Sequence, residues 1–262
     1  MAFQYKRVLL VGATSGIGAA MADKLILEGA KVIAVGRRQE RLDAFIQKHG
    51  PEKSSGVRYD VTDRAGLDAF VDGIVNKYPD LDCIFLNSGV QSQVRLSRPT
   101  EVDLDAFHEE ISTNFSRLVD LSIKFLPHLL LKPYPTALVI TGTLLAIVPA
   151  VTMPAYSASK AALNAFIYCL RRQYQGSNTR IIEIWPPVVK TELHDYMGHE
   201  RGRSFGMPAA EFIEKAWSEL AAGSDHVIVG SAGPDESFKE IVKLRRQNFE
   251  NLSDVLLGHF EL

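Results

Sequence analysis

The 262-residue chain has only two cysteines, Cys83 and Cys169. Both lie in apolar stretches, the setting of reduced core residues rather than of a disulfide framework. Net charge is also nearly absent, at −2 from 29 basic and 31 acidic residues. That balance gives no general attraction for phosphate backbones or anionic membranes, so no nucleic-acid partner is expected. Long hydrophobic runs are missing, and no membrane span is expected. The stretch from Met1 to Lys6 is polar and leads straight into an apolar segment, unlike a secretory signal, so a cytoplasmic location is expected. The seven histidines form no ligand cluster with cysteines or carboxylates, and no metal is expected. No long linker, internal repeat or low-complexity tract divides the chain.

What remains is an ordinary soluble composition, 46% hydrophobic and 23% charged. Short Val- and Ile-rich runs predict strands at 7–11, 31–36, 57–59, 83–87, 137–141, 180–185 and 226–229. Their apolar character is nearly continuous, as in strands covered on both faces. Helix-length segments at 17–28, 64–77, 104–131 and 155–174 alternate with them. The pattern predicts an α/β fold, one doubly wound parallel sheet of about seven strands spanning residues 1–262. Residues 190–207, rich in His, Gly, Arg and Met, show no apolar period. They read as a lid or substrate loop, or as a plain surface loop. Residues 237–262 carry helical spacing at Phe238, Ile241, Val242 and Leu244, a tail that would cap the site or pack on a neighbour.

Gly12-Ala13-Thr14-Ser15-Gly16-Ile17-Gly18 separates the first strand from the first helix. Gly12 permits the tight turn, Gly16 lets the backbone approach a pyrophosphate, and Gly18 allows helix to pack closely on strand. An anion then lies at the helix N-terminus. Thr14, Ser15 and Ile17 belong to the same cradle. At the end of the second strand, where an acid would bind both ribose hydroxyls, the chain has Gly36-Arg37-Arg38. Arginine forks suit a 2′-phosphate, so NADP(H) is favoured over NAD(H), with Arg37 leading and Arg38 in support. These arginines, with Arg41, also fit a solvated helix start. Asp60 and Val61, after the third strand, are placed to hold the adenine ring.

Tyr156-Ser157-Ala158-Ser159-Lys160 sets a lysine four residues after a tyrosine, on one helical face. Lys160 beside the phenol would lower its pKa from about 10 and make it a proton donor. Thr143, a hydroxyl residue thirteen positions before Tyr156, follows a buried strand. With the glycine turn, these residues point to hydride and proton exchange at a carbonyl.

These motifs resemble the short-chain dehydrogenase/reductase family, over roughly residues 6–230. Asn87-Ser88-Gly89 is similar to the family's Asn-Ala-Gly stretch after the fourth strand. Asn114 falls where the family keeps an Asn that supports a water near the lysine. Pro186-Pro187-Val188-Val189-Lys190-Thr191 is similar to its Pro-Gly-x-Val-x-Thr stretch, with proline in place of glycine at 187. The Asn87–Gln91 and Phe125–Leu129 segments resemble a branch associated with bacterial D-alanylation of lipoteichoic acid.

The resemblance implies a Rossmann-type domain with a catalytic set of Asn114, Thr143, Tyr156 and Lys160. It implies that Tyr156 and Lys160 also meet the nicotinamide ribose, and that Asn87, Ser88, Gly89, Pro186, Val189 and Thr191 line the dinucleotide. It implies a small carbonyl or alcohol substrate and a homodimer or homotetramer; the preference for NADP(H), whose cellular pool is typically reduced, makes carbonyl reduction the expected direction. A redox-neutral epimerase or dehydratase and a non-catalytic NADPH sensor are the alternatives. Leu144, Leu145, Ile147 and Val148 read equally as apolar pocket walls or as core, and His194 and His199 as groups that orient a polar substrate or as ordinary loop histidines.

Overall fold

The computed structural model describes residues 3–259. The expectations for Met1 and Ala2, and for the last three residues of the tail, lie outside the described residues. Strands β1 (Arg7–Val11), β2 (Lys31–Gly36), β3 (Ser54–Arg58), β4 (Cys83–Leu86), β5 (Thr136–Thr141), β6 (Thr179–Trp185) and β7 (His226–Ile228) form one sheet in the order β3-β2-β1-β4-β5-β6-β7. All pairings are parallel, with Val8 opposite both Val32 and Cys83. The order reverses between β1 and β4, which opens a crevice at their carboxyl ends. The sheet thus puts Gly12 and Asn87 side by side.

The helices are α1 (Gly16–Leu27), α2 (Gln39–His49), α3 (Leu67–Lys77), α4 (Leu104–Ile111), α5 (Arg117–Leu130), α6 (Pro154–Gln173), α7 (His199–Ser204), α8 (Ala209–Ala221) and α9 (Asp235–Leu257). One core layer packs Met21 and Leu25 of α1 and Phe212 and Leu220 of α8 against Leu10, Val32 and Phe85. The other packs Val71, Phe125 and Ile167 of α3, α5 and α6 against Leu9, Ile33 and Ile84. Adjacent residues of each central strand therefore face opposite layers, and both must be apolar.

Four details depart from the sequence reading. β3 begins earlier and ends sooner than 57–59, because Ser54-Ser55-Gly56 pairs with β2 by backbone alone at the sheet edge. The segment 104–131 is two helices joined by a π-helical turn, Ser112–Ser116. Residues 190–207 hold a 3₁₀ turn, Glu192–Met197, and α7, and a backbone bridge from Val189 to Met207 closes the base of this small lobe. Cys83 is buried, but Cys169 faces outward from α6, so only one of the two is a core residue. Among the described residues, no helix is long and apolar enough to cross a membrane.

Candidate active site

A cavity of about 700 Å³ follows the carboxyl ends of β1, β2, β4 and β5. Gly12, at φ 88°, and Gly16, at φ 55°, take left-handed backbone that other residues adopt at a cost. A Cβ on Gly18 would overlap the Gly12 carbonyl oxygen, so α1 packs directly on the turn. Thr14, Ser15, Gly16 and Ile17 line the cavity; Gly18 lies behind it as packing.

At one end, two of the three neighbouring arginines, Arg38 and Arg41, share Thr14 and Glu192 as partners, and Arg37 does not. Arg38 donates to the hydroxyls of Thr14, at 3.0 Å, and Ser15, at 2.7 Å, and to the Glu192 carboxylate at 2.7 Å. Arg41 donates to the Thr14 carbonyl at 3.0 Å and pairs with Glu192 at 2.8 Å. The two guanidiniums hold the Glu192 carboxyl well below the usual range, at about 2. Arg37 is 68% exposed, with Asp60 loosely paired at 3.8 Å. Asp60 accepts from the backbone and hydroxyl of Thr62 at 3.0 and 2.9 Å, and Val61 completes that wall.

In the middle, Asn87 accepts from the Thr141 hydroxyl at 2.9 Å and donates to the Gly12 carbonyl at 3.3 Å. It ties the ends of β1, β4 and β5 together. Ser88, Gly89, Pro186 and Thr191 line the cavity. Val189 does not: its side chain is buried in the α1–α8 core layer, because the strand alternation at the bridge to Met207 turns it inward.

At the other end, Tyr156 and Lys160 are buried on the α6 face that closes the cavity. Lys160 Nζ donates to the Thr141 carbonyl at 2.9 Å and lies 5.9 Å from the centre of the Tyr156 ring. Burial lowers the lysine to about 8. The phenol is not acidified as the spacing suggested. Burial pushes it up to about 12, the neighbouring Thr143 hydroxyl pulls the other way by hydrogen bonding, and the Glu110 charge raises it further. Burial is the largest influence on the phenol, and the Lys160 ammonium donates to the Thr141 carbonyl.

Thr143 is buried beside Tyr156, just behind the cavity wall, and its oxygen accepts from Leu145 N at 3.3 Å. Asn114 sits in the π-helical turn and is fully buried. Its amide exchanges two 2.8 Å hydrogen bonds with the Val90 backbone and donates to Ser159 at 3.3 Å. Leu144 and Ile147 pack with Trp185, Phe238 and Val242 beneath α9, which settles them as core rather than pocket wall. His194 is buried in the lobe, and His199 is exposed near Asp195.

Several polar wall residues carry no motif of their own, among them Glu109, Glu110, and Glu192 and Tyr196 within the expected substrate loop. Glu110 stands one helical turn before Asn114, a spacing that would have revealed it. Glu192 and Tyr196 come from the lobe and carry no local signal. No group of three or more potential metal ligands occurs among the described residues.

The fold and the site define an oxidoreductase class that sequence comparison makes definite. A family profile described as short chain dehydrogenase matches residues 6–202, and the chain belongs to this short-chain dehydrogenase/reductase family. A curated relative, the uncharacterized oxidoreductase DltE of Bacillus subtilis, is 32% identical over 84% of this chain and 86% of its own length. It agrees with the branch resemblance drawn from the motifs. Among solved structures, a short-chain dehydrogenase/reductase from Burkholderia phymatum in complex with NAD superposes with a TM-score of 0.80 at 19% identity, covering 96% of both chains. The closed form of serine dehydrogenase complexed with NADP+ gives 0.76 at 24% identity, over 87% of this chain and 97% of that one.

Proposed function

We propose that the protein is an NADP(H)-dependent oxidoreductase that interconverts a carbonyl and an alcohol, working mainly in the reductive direction. The observation that carries this reading is a single cavity with an anion-accepting glycine turn at one end and the buried Tyr156–Thr143 pair, with Lys160, at the other. The residues present fit a dinucleotide: at Gly12 and Gly18 a Cβ would collide with Ser88 and with the Gly12 carbonyl, so backbone alone forms the cradle.

When bound, the dinucleotide supplies or accepts the hydride. Gly12, Thr14, Ser15, Gly16 and Ile17 would hold its phosphates, and Asn87, Ser88, Gly89, Pro186 and Thr191 its nicotinamide half. Arg37 is the guanidinium left for a 2′-phosphate, since Arg38 and Arg41 are engaged by Glu192. A Cβ on Gly36 would strike the Thr14 side chain, so an acid that repels that phosphate has no place there.

Tyr156 delivers its phenolic proton to the substrate oxygen. A phenol at about 12 stays protonated at neutral pH, yet it is far more acidic than the alcohol it creates, so transfer runs downhill. The phenol's resting protonated state suits the acid's part in reduction. Thr143 orients the oxygen and hydrogen-bonds the phenol, while Lys160 places a buried positive charge beneath the site. Asn114 fixes the Val90 backbone beside that lysine. We further infer a homodimer or homotetramer, because Leu104 and Ile123 on α4 and α5 are exposed; a monomeric mass by light scattering would overturn it.

The test follows NADPH consumption against ketones, aldehydes, quinones and diketones, with Tyr156→Phe beside wild type. Turnover should fall by roughly 10²–10⁴-fold in the variant while NADPH still binds. Wild-type turnover in Tyr156→Phe would refute the assigned acid. Product formation without net NADPH consumption would establish the redox-neutral alternative.

A further inference from the structure

The acids on the cavity wall are not equally compensated. Asp60 faces Arg37, and Glu192 is held by Arg38 and Arg41. Glu110 faces no cation. It is 3% exposed, one carboxylate oxygen accepts from the Ser92 hydroxyl, and the other has no hydrogen-bond partner. It lines the same cavity as Tyr156 and the lobe's Tyr196, and its charge raises both phenols. Exposed Glu109 adjoins it on the same wall. Lys160 is the one cation lining that end among the described residues, and its ammonium is turned to the Thr141 carbonyl.

A buried carboxylate oxygen without a partner is costly, and the cost disappears when a charged donor meets it. An ammonium group carries three donors and no acceptor. It would satisfy the free Glu110 oxygen, and the same cavity wall offers the oxygens of Tyr196 and Gln91, whose side chains are hydrogen-bonded to each other at 3.2 Å, for the rest. A carboxylate or phosphate in the same place would meet two acids instead. We propose that Glu110 recognises a protonated amine, so that the substrate class is a carbonyl or alcohol bearing an ammonium group beside the reacting carbon. This rests on the carbonyl–alcohol reading above. In the oxidative sense the C–H bond of the amino alcohol breaks, its hydride passes to the oxidised nicotinamide, and the hydroxyl proton leaves through Tyr156.

The experiment measures binding and turnover separately. Protein loaded with NADP+ is titrated calorimetrically with 1-amino-2-propanol, 1,2-propanediol and lactate, three compounds of similar size that are cationic, neutral and anionic at neutral pH. The amine should bind at least about tenfold more tightly than the diol, as for a charge-assisted hydrogen bond, with lactate weakest. Glu110→Gln should bring amine and diol together, with NADP+ affinity as the control for folding. The wild-type ranking decides the matter even if that variant does not fold. Diol or lactate binding as well as the amine, or no binding by any of the three, overturns the proposal. The predicted ranking without turnover would uphold amine recognition and count against the dehydrogenase reading; turnover without the ranking would do the reverse.

Discussion

Arg37 and Arg38 are adjacent in sequence and both line the cavity, but they are engaged very differently. Arg38 reaches back over the glycine turn to two hydroxyls and a carboxylate, so its position is fixed by three partners. Arg37 leans outward with a single loose contact to Asp60. The difference arises just past β2, which ends at Gly36, with Arg38 the residue that precedes α2. It predicts that Arg37→Ala weakens NADPH binding by about tenfold or more, the worth of a charge-assisted contact, and leaves NADH binding within about twofold. Fluorescence titration with both dinucleotides checks this, and equal losses for the two would remove Arg37 from the phosphate site. Tyr156 and Lys160 illustrate the opposite case. Their i,i+4 spacing correctly placed both on one face of α6, but the hydrogen-bond partner of the ammonium, the Thr141 carbonyl, is nineteen residues away and no spacing rule encodes it.

Among the elements, the lobe formed by residues 191–207 is held by one ion-pair cluster outside itself and by another within. Glu192 at its start pairs with Arg38 and Arg41 across the cavity mouth, and Arg203 of α7 pairs with Asp195 at 2.7 Å. Glu192→Gln removes the charge from the first contact while keeping its size. Cleavage of the lobe by trypsin at Arg201 or Arg203 should then quicken several-fold, whereas an unchanged rate would mean that the backbone bridge from Val189 to Met207 suffices.

The same scale shows what the sequence made legible. Central strands buried on both faces are forced into continuous apolar runs, and β1, β2 and β5 are readable for that reason. β3 at the edge carries no such demand, and its Ser-Ser-Gly start is invisible to hydrophobic pattern. The π-helical turn at Asn114 is also silent, since the apolar period continues through it into α5; its effect is to turn Asn114 onto the Val90 backbone. π-turns recur at functional sites because they re-aim a side chain in this way. Glu192 was hidden because its partners lie some 150 residues earlier, joined to it only by the sheet order.

At the scale of the whole molecule, stability depends on a polar core under α9. Glu183 of β6 is fully buried and accepts two hydrogen bonds from Asn164, at 2.9 and 3.2 Å. Asn164 in turn accepts from Arg245 of α9. His226 of β7 lies 3.9 Å from Glu183, edge-on to Trp185, and its Nε2 has no hydrogen-bond partner. Burial, together with Arg171 and Arg246, pushes His226 down from 6.5 to about 3. The folded state therefore keeps this histidine neutral where the unfolded chain takes up a proton. Below pH 6.5 the unfolded state binds more protons, so stability falls as pH falls, and the loss continues until the folded pKa near 3 is reached. The slope from one such group approaches about 1.4 kcal/mol per pH unit. His128 and His194 are also lowered by burial and add the same sign, whereas Glu183, raised by burial, opposes it at lower pH. The comparison that isolates His226 is thus between wild type and His226→Phe, an apolar ring that retains the edge against Trp185. Thermal unfolding at pH 7.5, 6.0 and 5.0 should show the melting temperature of wild type dropping more steeply than that of the variant. Parallel curves would mean that the histidine gains its proton without unfolding, and that Glu183 receives it as an ion-pair partner within the folded core.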